Sequence, residues 1–136
     1  MKSSYKLDKV LLVDDDYVAN HLNKVLIDDL NITKKIEVAR NGQEALQMIQ
    51  NMHTKSNRET VLVFLDLNMP VMDGFEFLNE LEKEKPLIAN NLFVVILTSS
   101  TNNRDVEKAK CFPVYGYIVK PLTEENLMPL VSTLIH

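Results

Sequence analysis

Only one cysteine, Cys111, occurs in the chain, so no disulfide can form within it, and a reducing compartment fits that usage. Long apolar runs are missing too. Leu92–Leu97, among the longest, falls far short of a bilayer span. The N-terminus has no apolar segment of the kind a secretory signal needs. Basic residues are not in excess: 15 Lys and Arg face 19 Asp and Glu, a formal net charge of −4, so no nucleic-acid surface is advertised. Neither a P-loop nor a G-x-G-x-x-G pattern occurs, which argues against a nucleotide-binding enzyme. What remains is a chain of 136 residues, 46% hydrophobic and 25% charged, the profile of one soluble globular domain. The expectation is a cytoplasmic protein with neither membrane nor nucleic acid as partner.

The chain is organised around Val61-Leu62-Val63-Phe64-Leu65-Asp66. Five apolar residues in a row, mostly β-branched or aromatic, predict a strand buried on both faces. A carboxylate at its end must reach a crevice above the sheet, because a packed interior disfavours the charge strongly. Met69-Pro70 and Asp73-Gly74 then turn the chain, and a helix begins at Phe75. Strand, acid, loop and helix is the order that places chemistry at the carboxyl edge of a parallel sheet.

The same unit recurs along the chain. Val10–Val13 is a continuous apolar strand ending in Asp14-Asp15-Asp16, and Val18, Leu22, Val25, Leu26 and Leu30 follow as a helical stripe. Ile36–Ala39 alternates, as a strand nearer the sheet edge does. Asn41 and Glu44 form a capping pair for a helix that buries Ala45, Leu46 and Ile49. Residues 54–59 are polar and aperiodic, and predict a surface loop. Asp73 and Glu76 repeat the capping pattern before Leu78 and Leu81, and Pro86 closes that helix. Leu92–Leu97 is a third continuous strand, ending at Thr98. Asn102–Lys110 predicts a polar helix with Val106 and Ala109 inward. Tyr115–Val119 is a short strand ending in Lys120-Pro121, and a last helix from Thr123 buries Leu127, Leu130, Val131 and Leu134.

Five strands alternating with five helices imply a doubly wound α/β fold, its parallel sheet covered on both sides. The continuous strands belong inside and the mixed ones outside, which fits the order 2-1-3-4-5 with a switch point between the first and third strands. Asp14, Asp15 and Asp66 end those two strands. Carboxylates gathered there repel, so they share a proton or recruit a cation. Mg²⁺ suits oxygen ligands and keeps waters that can yield to a phosphoryl group. Lys120 and Thr98 end two more strands at the same edge and offer an ammonium and a hydroxyl to phosphoryl oxygens. An aspartate can itself be the nucleophile. The constellation points to phosphoryl transfer onto a carboxylate.

Val13-Asp14-Asp15, Leu65–Gly74, Leu97-Thr98-Ser99 and Tyr117–Pro121 together resemble the four signatures of response-regulator receiver domains, the CheY-like, flavodoxin-like fold of two-component signalling. The likeness covers roughly residues 8–135. It implies that Asp66 is the phosphoacceptor, supplied by a phosphohistidine on a sensor histidine kinase or histidine phosphotransfer protein. It further implies Mg²⁺ held by Asp15, Asp66 and the backbone carbonyl of Asn68, with Asp14 direct or through water. Lys120 would pair with the phosphoryl oxygens, and Lys120-Pro121 is often cis in the family. Thr98 would move to the phosphoryl group and Tyr117 would turn into the space vacated, repacking an output face of fourth helix, fifth strand and fifth helix. Asn68 and Ser100 occupy the positions that tune phosphoryl lifetime, and Ser99 is suitably small.

With His136 last and no output domain following, the resemblance implies one receiver domain over residues 1–136, signalling to a separate partner. It implies a switch that takes part in its own phosphorylation and dephosphorylation, not a turnover enzyme. The same site would serve a phosphorelay shuttle or phosphate sink. Monomer and homodimer both stay open. A degenerate receiver working without phosphorylation is disfavoured by the intact Asp15, Asp66, Thr98 and Lys120. An aspartate-nucleophile phosphohydrolase would usually carry a second acid where Asn68 stands.

Other residues carry plainer readings. Asp16 is a helix cap or a plainly solvated acid, and His21, His53 and His136 are surface residues without metal-ligand spacing. Cys111 is a small core or near-surface residue, and Phe75 and Phe77 are packing residues. Pro113 is expected to end the fourth helix, and Pro129 to kink the last helix or disturb its first turn.

Overall fold

The computed structural model describes residues 7–55, 60–67, 69, 71–83, 92–99 and 103–134. Five strands and five helices alternate: β1 (Lys9–Val13), α1 (Tyr17–Leu30), β2 (Ile36–Ala39), α2 (Gly42–Lys55), β3 (Val61–Leu65), α3 (Gly74–Lys83), β4 (Leu92–Thr98), α4 (Asn103–Ala109), β5 (Gly116–Val119) and α5 (Glu124–Leu134). All pairings are parallel and the sheet order is β2-β1-β3-β4-β5. The expected topology holds, because the three strands without polar interruptions are the ones that can be buried on both faces.

Strand alternation divides the core in two. Leu11, Val13, Val63, Leu65 and Ile96 face α2 and α3, where Ala45, Ile49, Phe77 and Leu78 close the layer. Val10, Leu12, Leu62, Phe64 and Leu97 face the other way and meet Ile27 of α1 and Leu127 and Val131 of α5. Among the described residues no helix is long and apolar enough to cross a membrane.

Helix starts follow the side chains that satisfy their free N–H groups. Asp16 caps α1, accepting from Val18 N and Ala19 N. Asp73 and Glu76 form a reciprocal box, each side chain accepting from the other's backbone N–H at 2.9 Å. Thr123 and Asn126 do the same for α5, with an amide where a glutamate is usual. At α2 the exchange is offset by one: Asn41 accepts from Glu44 N, but Glu44 accepts from Arg40 N.

Two local expectations are corrected, those for the α1 stripe and for residues 54 and 55, and the places of Pro113 and Pro129 are now defined. Val18, Leu22 and Val25 do not face the sheet: they are 61%, 61% and 47% exposed, and α1 instead buries Asn20 and Ile27. Only the C-terminal part of the expected stripe faces inward, where Leu26 and Leu30 pack against the core. Thr54 and Lys55 belong to α2, which continues through them. α4 stops at Ala109, four residues before Pro113, and its tail closes with tight turns, Cys111 N to Lys108 O and Phe112 N to Ala109 O. A helical Pro113 would push its ring against the Ala109 carbonyl, which bars continuation. α5 runs through Pro129, whose missing N–H leaves the Glu125 carbonyl on the exposed side where water can serve it. The expectations for Pro86, Asn102 and residues 56–59 lie outside the described residues.

Candidate acidic site at the switch point

Val13 and Leu65, the last residues of β1 and β3, are register partners, so the acids after them leave the sheet side by side. Asp66 N donates to Val13 O at 2.9 Å, and Asp14 N donates to Ala39 O at 3.1 Å. Carboxylate oxygens of Asp14, Asp15 and Asp66 all lie within 4.8 Å of one another. Asp14 and Asp66 are buried while Asp15 is exposed.

Lys120 reaches the cluster from the end of β5. Its backbone N donates to Thr98 O at 2.8 Å, and Lys120-Pro121 is cis. Its Nζ donates to Asp14 Oδ2 at 2.8 Å and stands 3.9 Å from Asp66 Oδ1. Burial works to lower the ammonium's pKa and is the largest influence on it. The hydrogen bond to Asp14 and the charges of Asp14, Asp66 and Asp16 together outweigh that burial, so the pKa lies above the usual lysine value. Lys120 is therefore a fixed cation at any physiological pH.

Asp14 is held on every side. Its Oδ1 accepts from Asp16 N at 2.9 Å, its Oδ2 from Lys120, and its carbonyl from Asn20 Nδ2 at 2.8 Å. The donor set, three carboxylates of which Asp15 is open to solvent, fits a hard divalent cation with oxygen ligands.

The loop after Asp66 is built on close approaches. Gly74 N donates to Leu67 O at 3.0 Å, and a Cβ on Gly74 would sit 2.7 Å from Leu67 Cα and 2.8 Å from Asp66 O. Only glycine lets the helix start lie this near the end of β3. Val71 has φ 69°, a left-handed conformation that a β-branched residue adopts only under constraint.

Thr98 is fully buried at the end of β4. Tyr117 pairs with Ile96 and Val119 with Thr98, so Tyr117 and Thr98 are diagonal neighbours on one face. The Tyr117 ring packs on the α2–α3 side of the core. Its hydroxyl is buried with no hydrogen-bond partner among the described residues. Burial first, and the Asp105 carboxylate second, push its pKa above the usual phenol value.

The structure thus brings Asp14, Asp15, Asp66 and Lys120 together, with Thr98 and Tyr117 behind them. Asn68 and Ser100 lie outside the described residues, as do His136 and the His53 side chain. His21 is exposed, and so is Cys111. Phe77 is core and Phe75 packs at the surface, with Lys108 Nζ 4.4 Å above its ring. Sequence reasoning passed over Asn20. The available signal was a polar residue seven before Ile27, on the inward stripe of α1.

Comparison with known proteins gives a concordant picture. The profile of the response regulator receiver domain matches residues 10–132. The probable methanogenesis regulatory protein FilR2 of Methanothrix harundinacea is 34% identical over 124 residues, covering 90% of this chain and 78% of that protein. The probable transcriptional regulator ycf29 of Porphyra purpurea is 30% identical over 133 residues, and the match spans 98% of this chain but 57% of that protein. The crystal structure of a two-component response regulator from Cytophaga hutchinsonii superposes with a TM-score of 0.83 at 30% identity, covering 95% of this chain and 97% of that one.

Proposed function

The chain belongs to the response regulator receiver family of two-component signalling, and from that premise we propose that Asp66 accepts a phosphoryl group from a phosphohistidine donor. The observation that carries this reading is the placement of a buried Asp66 beside two further carboxylates and 3.9 Å from the Lys120 ammonium. An Asp66 carboxylate oxygen attacks phosphorus, the P–N bond of the donor breaks, and the imidazole leaves with a proton. The product is an aspartyl phosphate.

Mg²⁺, when bound, offsets the charge that collects on the phosphoryl oxygens. Asp15 and Asp66 are its direct protein ligands in this reading, together with the Asn68 carbonyl. Asp14, whose oxygens accept from Asp16 N and Lys120 Nζ, would hold the ion directly or through water. Lys120 leaves Asp14 for the incoming phosphoryl oxygens, which adds a second fixed positive charge.

The switch runs through Thr98 and Tyr117. A buried hydroxyl without a partner costs about 1–3 kcal/mol, so the Tyr117 rotamer seen here is not strongly preferred. A phosphoryl group that draws the Thr98 hydroxyl alters the space on the face Tyr117 shares. Phosphorylation then selects between two packings of α4, β5 and α5, the surface read by a separate target protein. The role is that of a signalling switch served by a histidine kinase or phosphotransfer protein, not of an enzyme turning over a free substrate.

Intact mass after incubation with acetyl phosphate tests the reading. One added phosphoryl group, dependent on Mg²⁺ and absent from Asp66→Asn, is the expected result. Continuous phosphate release without an adduct would instead favour a hydrolase, and no adduct from either acetyl phosphate or a phosphohistidine protein would favour a binding module without phosphorylation.

A further inference from the structure

Tyr17, Asn20, His21 and Lys24 recur at i, i+3, i+4 and i+7 and so share one stripe of α1. Arg40, just past β2, and Glu44, in the first turn of α2, face that stripe across a groove of about 380 Å³. The groove lies outside the acid cluster. In a chain of net charge −4 it gathers Lys24, Arg40 and His21 against one carboxylate. That carboxylate, Glu44, already accepts from Arg40 N at 3.0 Å. Among the described residues none of the side chains of His21, Lys24 and Arg40 has an ion-pair or hydrogen-bond partner. Two unpaired cations, Lys24 and Arg40, with a histidine lining the same concavity, offer a site for an anion.

A second feature narrows the ligand. Tyr17 is 84% exposed and lines the same groove as those side chains. A flat ring next to positive charge is what a base carrying a phosphate would use, through stacking and charge pairing. The chain has no glycine-rich phosphate loop, so phosphate recognition falls to side chains. We propose that this groove binds a nucleotide-class small molecule, its phosphate on Lys24, Arg40 and His21 and its base against Tyr17.

Asn20 forms the link to the acid cluster. Its Nδ2 donates to the Asp14 carbonyl at 2.8 Å, and since a carbonyl only accepts, the amide cannot be turned round. Its Oδ1 is left buried without a donor among the described residues. Reaching it from the groove requires the Asn20 side chain to shift. Because that side chain also holds the Asp14 carbonyl, a ligand that moves it alters Asp14, a consequence that rests on the phosphoacceptor reading; the binding itself does not.

The test is titration of adenosine monophosphate into the full chain, wild type and Asp66→Asn, in Mg²⁺-free buffer, followed by calorimetry and backbone-amide NMR. Saturable binding of equal strength in both proteins is expected, with Asp14 and Asp15 amides shifting. Tyr17→Ala and Lys24→Ala, both at exposed positions, should each weaken it about tenfold, and inorganic phosphate should bind at least about tenfold more weakly than the nucleotide. No saturable binding, or binding indifferent to both variants, would overturn the proposal. So would inorganic phosphate binding as tightly as the nucleotide, or a tetraglutamate peptide competing on equal terms, since either removes the role of the base. Because phosphorylation enters neither measurement, failure of the phosphoacceptor reading would leave this result standing.

Discussion

Lys120 sits between Asp14 and Asp66, and its charge holds two buried acids together. Its folded pKa is raised, so the stability it contributes is complete below the ordinary lysine value of about 10.4 and is lost as pH climbs through the higher folded value. Tyr117 is also raised, and the sign is the same: the folded chain holds the phenol proton longer, and stability falls above about pH 10. Urea unfolding of the wild type should thus be flat from neutrality to about pH 9 with respect to these two groups and weaken beyond it. Lys120→Met should remove much of the alkaline loss and abolish acceptance from acetyl phosphate. A variant that accepted phosphoryl groups at the wild-type rate would exclude Lys120 from the chemistry. Tyr117→Phe carries the opposite expectation from most core substitutions. Deleting a buried, unpartnered hydroxyl should stabilise the fold by up to about 1–3 kcal/mol in urea midpoint measurements. Destabilisation would mean that the hydroxyl has a partner in solution.

At the scale of single elements, two glycines and three caps fix where the loops lie. Gly42 N donates to Met72 O at 3.0 Å, and a Cβ there would meet Met72 Cγ at 2.8 Å. Gly74 is tighter still, because the atoms it would strike are backbone. Gly74→Ala should cost about 1–3 kcal/mol through overpacking and should slow phosphoryl acceptance as well, since Asp66 O is one of the atoms displaced. Asp16→Ala should cost about 1 kcal/mol by removing the α1 cap. Much of this was legible in the sequence: the capping pairs Asn41/Glu44 and Asp73/Glu76, and the acids at the ends of β1 and β3. The inward face of α1 was not. Of its apolar period, Leu26 and Leu30 pack on the core while Val18, Leu22 and Val25 stay exposed, and Asn20 turns inward to donate to the Asp14 carbonyl. Single-residue periodicity registers hydrophobicity and is blind to a polar residue recruited by one hydrogen bond. The left-handed Val71 was equally out of reach, since it follows from how the loop must close over Asp66.

For the molecule as a whole, the sheet order puts β1, β3 and β4 inside and leaves β2 and β5 as edges. Amide hydrogen exchange should be slowest in Leu11–Val13, Val63–Leu65 and Val95–Leu97, and faster in β5, whose outer residues Tyr117 and Val119 are less buried. Equal protection across all five strands would contradict the division of the core described above. The sequence pattern was sufficient to place the strands because continuous apolar runs and mixed ones have only one economical arrangement in a parallel sheet. That arrangement puts the sheet centre under the acid cluster and leaves β5, which leads into Lys120, as an edge.

The central claim is that one of three neighbouring carboxylates, Asp66, carries the phosphoryl group. Borohydride reduction of the phosphorylated protein converts an aspartyl phosphate to homoserine, and peptide mass spectrometry then locates it. Homoserine is expected at position 66, with Asp14 and Asp15 unchanged. Homoserine at 14 or 15, or an intact Asp66 in protein that has gained phosphoryl mass, would contradict it.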